Sequence, residues 1–463
     1  MSYVKSAVMV PHPPLILPRI GKGEEKHIQE IIDAYKQAAK TIVDEKPDTV
    51  IIISPHAPSY YDYMQLSSGK SGKGSMAQFG NYEEQFEIQY DTQMVDEISR
   101  LADEAGIPAG TLGQQDGTLD HGTMVPLYFL KDLPENTKFI RIGVAGIDNR
   151  MHYMLGQLIA RAAKDLGRKV AIVASGDLSH CQKAGTHYGY KECGPAYDKK
   201  IMDIMSRAAF DELLQISEQE AQDAMVCGQK PFCVMAGALD GLKPETKSLA
   251  HSAFFGVGYG VITYNDLNPD ASRDFGRQAQ EQLNEETRKR MEKEDPWVAL
   301  ARKAINAAIL EQEILEVPAD LPEELLNTQA GAFVSIHEDG ALRGCIGTTE
   351  PTRDSLAKEI IFNAIAASTR DPRFPAIAPY ELNNLEINVD VLNKAEPIHS
   401  IDDLDVKKYG VIVTKDDHRG LLLPDLEGVD TVEKQLSIAK QKAGLSPDEP
   451  DCVIERFEVV RHR

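Results

Sequence analysis

In the stretch TVIIISPHAP, residues 49–58, six residues rich in β-branched side chains run unbroken into a turn made of two prolines and a histidine. A short continuous apolar run bounded by turn residues has the pattern of a strand buried on both faces. The pattern recurs in VKSAVMVPHPPL (4–15) and KVAIVASGDLSH (169–180), and FIRIGVAG (139–146) is a further strand-like run. Helical periodicity fills the intervals at 24–46, 91–106, 150–168, 196–224 and 231–242, and SAFFGVGYGVITYN (252–265) reads as one more strand. Strands alternating with helices predict an α/β domain with a mostly parallel sheet and helices on both faces. Gly72–Asn81, inside SGKSGKGSMAQFGNY, reads as an exposed loop; the glycines and lysines of that stretch lack the order of a P-loop.

The pattern changes at 266–294, where large apolar residues almost vanish, which predicts a linker or a solvated helix. The expected division is therefore 1–265, a charged linker 266–294, and 295–463. The last region mixes helices (296–312, 354–371, 431–444) with a hairpin turning at Asp339-Gly340, a strand LEINVDVL, a second hairpin around Asp417–Gly420 and a last strand at 452–461. That mixture predicts an α+β domain.

A formal net charge of -22 on 463 residues argues against nucleic acid or an anionic membrane as partner, because both require positive surface. The six cysteines are too scattered for a disulfide scaffold, and no CxxC pair suggests a structural zinc ribbon. No apolar run approaches the roughly 20 residues that span a bilayer, and the amino-terminal stretch lacks a signal-peptide layout. The expected location is cytoplasmic.

Candidate chemistry gathers on histidines. His12 and His56 follow strands and sit in proline-fixed turns, where imidazoles at strand ends suit metal ligation. His180 suits a general acid or base, with Asp177 either orienting it or capping a turn. His121 precedes a helical run and either orients substrate or caps that helix. An anionic third ligand is either Cys227, placed before a helix start that favours thiolate, or Glu220 in the preceding helix. Two histidines and one anionic ligand on one face suit Fe(II), whereas imidazole with thiolate also suits copper or zinc. Cys233 reads as buried core, and His27, His152, His187 and His251 as surface or core residues.

PHPPL, SPHAP, LDHGT and SGDLSH resemble the motifs of the class III extradiol dioxygenases, the LigB-like fold. The resemblance implies His12 and His56 as Fe(II) ligands, with His121 and His180 in the pocket, a small aromatic substrate, and O2 as co-substrate. The usual third ligand of that family is a glutamate, and no motif-matched one is present. Ser175–His180 and Cys227–Pro231 are closer to the Memo branch, which implies Cys227 at the metal. LRGCIGT (342–348) with STRDPRFPAIAPYEL resembles an AMMECR domain. The fused layout is similar to AmmeMemoRadiSam-type proteins and implies a radical SAM partner.

Within LRGCIGT, Arg343 and Cys345 fall on one strand face. They either line a groove with Arg370, Asp371 and Arg373 or belong to tight packing. Two functions remain open from sequence: a non-heme iron oxidoreductase, or a metal-binding scaffold or sensor without turnover.

Overall fold

The computed structural model describes residues 2–463 apart from Asp116, Asp339 and Glu427. Asp339 of the expected hairpin turn therefore lies outside the described residues. The chain divides into two compact units, Met1–Glu281 and Gln282–Arg463.

In the first unit β1 (Val4–Val10), β2 (Thr49–Ser54), β3 (Lys138–Gly143), β4 (Val170–Ser175), β5 (Leu242–Ser252) and β6 (Tyr259–Pro269) form one sheet in the order β3-β2-β4-β1-β6-β5. The pairs β2–β3, β2–β4 and β1–β4 are parallel. β6 runs antiparallel to both β1 and β5. The longer helices are α1 (Gln29–Glu45), α2 (Thr92–Ala105), α3 (His121–Phe129), α4 (Asn149–Asp165), α5 (Cys193–Ser206) and α6 (Gln229–Ala238).

Every residue of β2 is buried because both faces are covered. Val50 and Ile52 share a core with Ile31, Tyr35 and Ala38 of α1. Their neighbours Ile51 and Ile53 point to the opposite face, where α6 packs on β1, β2 and β4. Each such fully buried side chain contributes about 1.5–3 kcal/mol. With β1, β2 and β4 parallel, their carboxyl ends meet on one rim, and the residues just beyond them converge there.

Three expectations are corrected. The run 252–265 is not one strand: β5 ends at Ser252 and β6 starts at Tyr259. The sequence LKPETKSLAHS of β5 is polar because it is the sheet's edge strand, where charge blocks further pairing. The helical pattern 196–224 breaks into α5 and two short helices, Phe210–Leu214 and Glu218–Asp223, around Ala208 at φ 51. Within the expected loop 72–81, Ser71–Ser75 pairs with Gln85–Gln89 as an antiparallel ribbon. The low-hydrophobicity stretch 266–294 carries the end of β6 and α7 (Phe275–Met291).

The second unit contains α8 (Pro296–Asn306), β7 (Ala332–Glu338), β8 (Ala341–Gly347), α9 (Leu356–Thr369), β9 (Glu386–Leu392), β10 (Glu396–Pro397), β11 (Tyr409–Lys415), β12 (His418–Leu422), α10 (Val432–Lys442) and β13 (Val453–His462). Its antiparallel sheet has the order β8-β7-β9-β13-β11-β12, with β10 also paired to β13. Leu300 of α8, Ile360 of α9 and Val334 of β7 share one core. Among the described residues no helix is long and apolar enough to cross a membrane.

Glu359 of α9 is a buried charge fixed by four donors. It accepts from Thr348 Oγ1 (2.6 Å), Thr352 Oγ1 (2.9 Å) and the backbone N–H groups of Thr352 (2.8 Å) and Arg353 (2.9 Å). Glu359→Ala leaves those donors unmatched and is expected to cost about 3 kcal/mol of stability. Urea unfolding of the full chain reads this as a lower midpoint; an unchanged midpoint would contradict it.

Candidate metal centre

Three potential donors meet at the rim. His12 follows β1, His56 follows β2 and Cys227 precedes α6. Their ligand atoms lie within 4.8 Å of one another. His12 Nε2 is 3.1 Å from His56 Nε2 and 3.6 Å from Cys227 Sγ. Tetrahedral ligands on one ion, with bonds of about 2.05 Å to nitrogen and about 2.3 Å to sulfur, stand about 3.3 Å (N to N) and about 3.6 Å (N to S) apart. The His12–His56 and His12–Cys227 spacings and the chemistry of the donor set therefore fit a single bound cation.

Hydrogen bonds fix how His12 presents itself. Ser175 Oγ, at the end of β4, donates to Gly122 O (2.6 Å) and so faces His12 Nδ1 (3.0 Å) as an acceptor. His12 Nδ1 carries the proton, which leaves the Nε2 lone pair for a metal. The backbone N–H of His12 donates to Asp177 Oδ1 (2.8 Å). Gly122 allows α3 to approach this closely, since a Cβ there would collide with Ser54 Oγ. Ser54 Oγ donates to Asp120 Oδ1 (2.5 Å) and accepts from the His56 N–H (3.2 Å), which links the second ligand to the start of α3.

Cys227 is braced by the backbone of Asp177. The Asp177 N–H donates to Cys227 Sγ (3.3 Å), and the Gly228 N–H donates to Asp177 O (3.0 Å). Against the bias toward thiolate expected at a helix start, burial, then Asp177, pushes the Cys227 thiol up. Desolvation outweighs the helix start, so a cation is what would draw off the thiol proton. Desolvation also lowers His12, which is buried, and His56, whose outer side stays exposed, and the nearby His180 adds to both shifts. Without a cation the cluster is therefore neutral.

The other predicted residues separate. Asp177 is buried, bonds His12 rather than His180, and is pushed up to about 7 by burial against the pull of the His12 N–H. His180 Nδ1 donates to Leu178 O (3.0 Å), so Nε2 is its basic nitrogen, and burial lowers its pKa. The ring of His180 stands 5.1 Å from Tyr188. His121 is the first residue of α3 but does not cap it; Asp120 does, accepting from the Thr123 N–H (3.0 Å). The His121 ring lies 4.1 Å from that of His56, and burial, then His56, lowers it to about 4. Glu220 is not in the cluster: both its oxygens accept from Lys200 Nζ at 2.8 Å. The roles of Ser175, Ser54 and Asp120 in aiming the ligands are found only in the structure.

Cys233 is fully buried in the core. His152 is a structural histidine. It is fully buried, with Nδ1 donating to Asp148 O (2.8 Å) and Nε2 accepting from the Ala145 N–H (3.1 Å). Burial, then Lys230, lowers its pKa to about 3. The unfolded chain takes up this proton at about pH 6.5, so the stability it contributes is present above that and lost as pH falls toward 3. At pH 4.5 wild type is expected to have lost about 3 kcal/mol relative to His152→Gln. Parallel urea midpoints for the two chains from pH 7.5 to 4.5 would contradict this.

At the second predicted site Arg343 is committed to structure. Its guanidinium bonds Glu381 (2.7 and 3.1 Å), Pro375 O (2.8 Å) and Ala376 O (3.3 Å), which staples the 371–381 segment to β8. A Cβ at Gly344 would collide with Ala367 O of α9, as close strand–helix packing requires. Cys345 accepts from Ser335 Oγ (3.2 Å) and its N–H donates to Asp371 Oδ2 (2.9 Å). Arg373 bonds the same carboxylate (2.7 Å) and holds Asp371 well below the usual carboxylate range. Arg370 ends α9 and is exposed.

Residues 6–262 match the family model described as the catalytic LigB subunit of aromatic ring-opening dioxygenase. The chain belongs to the LigB family. Residues 298–462 match the AMMECR1 family, so a LigB-family domain is fused to an AMMECR1 domain. A Clostridium acetobutylicum protein, CA_C1420, is 35% identical over 98% of both chains. A Thermotoga maritima protein is 52% identical over 37% of this chain and 98% of its own. Among solved structures, uncharacterized protein PH0010 from Pyrococcus horikoshii is 34% identical with a TM-score of 0.34, covering 36% of this chain and 88% of its own. Uncharacterized protein JW3007 from Escherichia coli K12 is 12% identical with a TM-score of 0.40, covering 56% of this chain and 99% of its own.

Proposed function

We propose that the LigB-family domain is a metal-dependent oxidoreductase that holds one Fe(II) on His12, His56 and Cys227 and acts with O2 on a small organic molecule. The observation that carries this reading is the convergence of two imidazoles and a thiol from three separate elements at 3.1 and 3.6 Å. Iron bound there supplies the redox chemistry, while the protein binds and orients. His12 and His56 present neutral Nε2 atoms, and Ser175 and Asp177 keep His12 aimed. His180, neutral with a basic Nε2, accepts a proton from a substrate hydroxyl and returns it to the product. His121 lines the approach to His56 and donates to or accepts from the substrate. The AMMECR1 domain serves as a binding module for substrate or for a radical SAM partner.

The half-buried thiol favours a second reading, a non-catalytic scaffold or sensor binding iron, copper or zinc, since thiolate with imidazole suits all three. Oxygen uptake by iron-loaded chain across a panel of catechols tests the two. Consumption that needs His180 supports the oxidoreductase. Metal retained with no uptake anywhere on the panel supports the scaffold.

A further inference from the structure

Beside Cys227 lies a pocket of about 310 Å³ whose wall includes Pro55, Ser59, Ala145, Asn149, Glu218 and Lys230. Two helices start on it: Asn149 is the first residue of α4, and Gln229 and Lys230 are the first two of α6. No side chain caps α6, so its first N–H groups turn partial positive charge toward the pocket. Lys230 Nζ donates to Ala145 O (2.8 Å) and faces Glu218 at 3.4 Å, which leaves one of its three hydrogens for a ligand. Asn149 is only 7% exposed; its Nδ2 donates to Ile216 O (3.2 Å), and its Oδ1 has no partner. Because Nδ2 is fixed on a carbonyl, the unmatched atom is the acceptor, and a buried acceptor calls for a donor.

These groups ask opposite things of one ligand. A simple carboxylate would satisfy Lys230 but bring no donor to Asn149 and would lie against the Glu218 charge. A simple amine would satisfy Asn149 and lie beside Glu218 but oppose Lys230 and the uncapped start of α6. A molecule carrying both charges answers each demand. It is also net neutral, which avoids repulsion by a chain of formal charge -22. The volume sits at the small end of the roughly 300–1,000 Å³ of ligand sites. We infer that this pocket binds a free α-amino acid, with its carboxylate on Lys230 and the start of α6 and its ammonium toward Asn149 and Glu218. The inference names the substrate class of the proposed oxidoreductase and rests on that reading for the part played by Cys227.

Titration calorimetry of the iron-loaded full chain with each of the twenty protein L-amino acids tests it, with N-acetyl amino acids, amino-acid methyl esters and acetate as controls. At least one amino acid is expected to bind, and its N-acetyl and ester forms at least tenfold more weakly. Lys230→Gln and Asn149→Ala are each expected to weaken binding at least tenfold with iron content unchanged. No heat from any of the twenty, equal binding of the N-acetyl form, or undiminished binding by both variants would overturn it even with iron in place. Amino-acid binding in a chain that takes up no iron would count against the metal centre and leave this inference standing.

Discussion

Replacing His12 with alanine is expected to empty the metal centre of the anaerobically purified chain. The imidazole is 2% exposed, and its Nδ1 proton is held by Ser175, so Nε2 is a preset donor. Loss of an outer hydrogen bond to a ligand already costs about 10–100-fold in metal affinity. Removal of the ligand itself is expected to cost at least about 100-fold. His56→Ala is expected to do the same and separates metal loss from misfolding, because His56 is exposed and leaves little cavity. Cys227→Ser keeps the shape and offers a weaker donor, so it is expected to fall between wild type and the alanine variants. Metal analysis after desalting reads all three. Iron retained near one per chain in both histidine variants would contradict the assignment.

His180→Ala is expected to keep the metal and lose about 10²- to 10⁴-fold in turnover, the range for a positioned acid or base. That corresponds to about 3–5 kcal/mol of transition-state stabilisation. The ring is tied to Leu178 O through Nδ1 and lies outside the three-donor cluster, so iron content separates the two roles. Turnover equal to wild type at unchanged iron content would remove His180 from the chemistry.

The strand-end histidines were legible because strand, proline and histidine are neighbours in sequence: the expected 4–10 and 49–54 are the strands β1 and β2. Cys227 and His12 are 215 residues apart, and only the folded rim brings them together. The link from Ser175 to Gly122 crosses 53 residues to a backbone oxygen, which no side-chain pattern reports. Of the two readings open for His121, capping falls instead to Asp120, one residue earlier and the better capping residue by chemistry. β5 was missed because an edge strand needs no apolar alternation. Arg343 left two readings open, and its bonds to Glu381, Pro375 and Ala376 favour packing. The thiol of Cys227 shows a related limit: proximity to a helix start is visible in sequence, whereas the burial that outweighs it is not.

The central claim is that His12, His56 and Cys227 hold one metal ion together. An anomalous-scattering map of an anaerobically grown, iron-loaded crystal, recorded on both sides of the iron edge, tests it most directly. The account predicts one peak within bonding distance of His12 Nε2, His56 Nε2 and Cys227 Sγ, lost above background when the iron edge is left. A map with no peak there, or with a peak on the two histidines and a carboxylate while Cys227 stands apart, would contradict it.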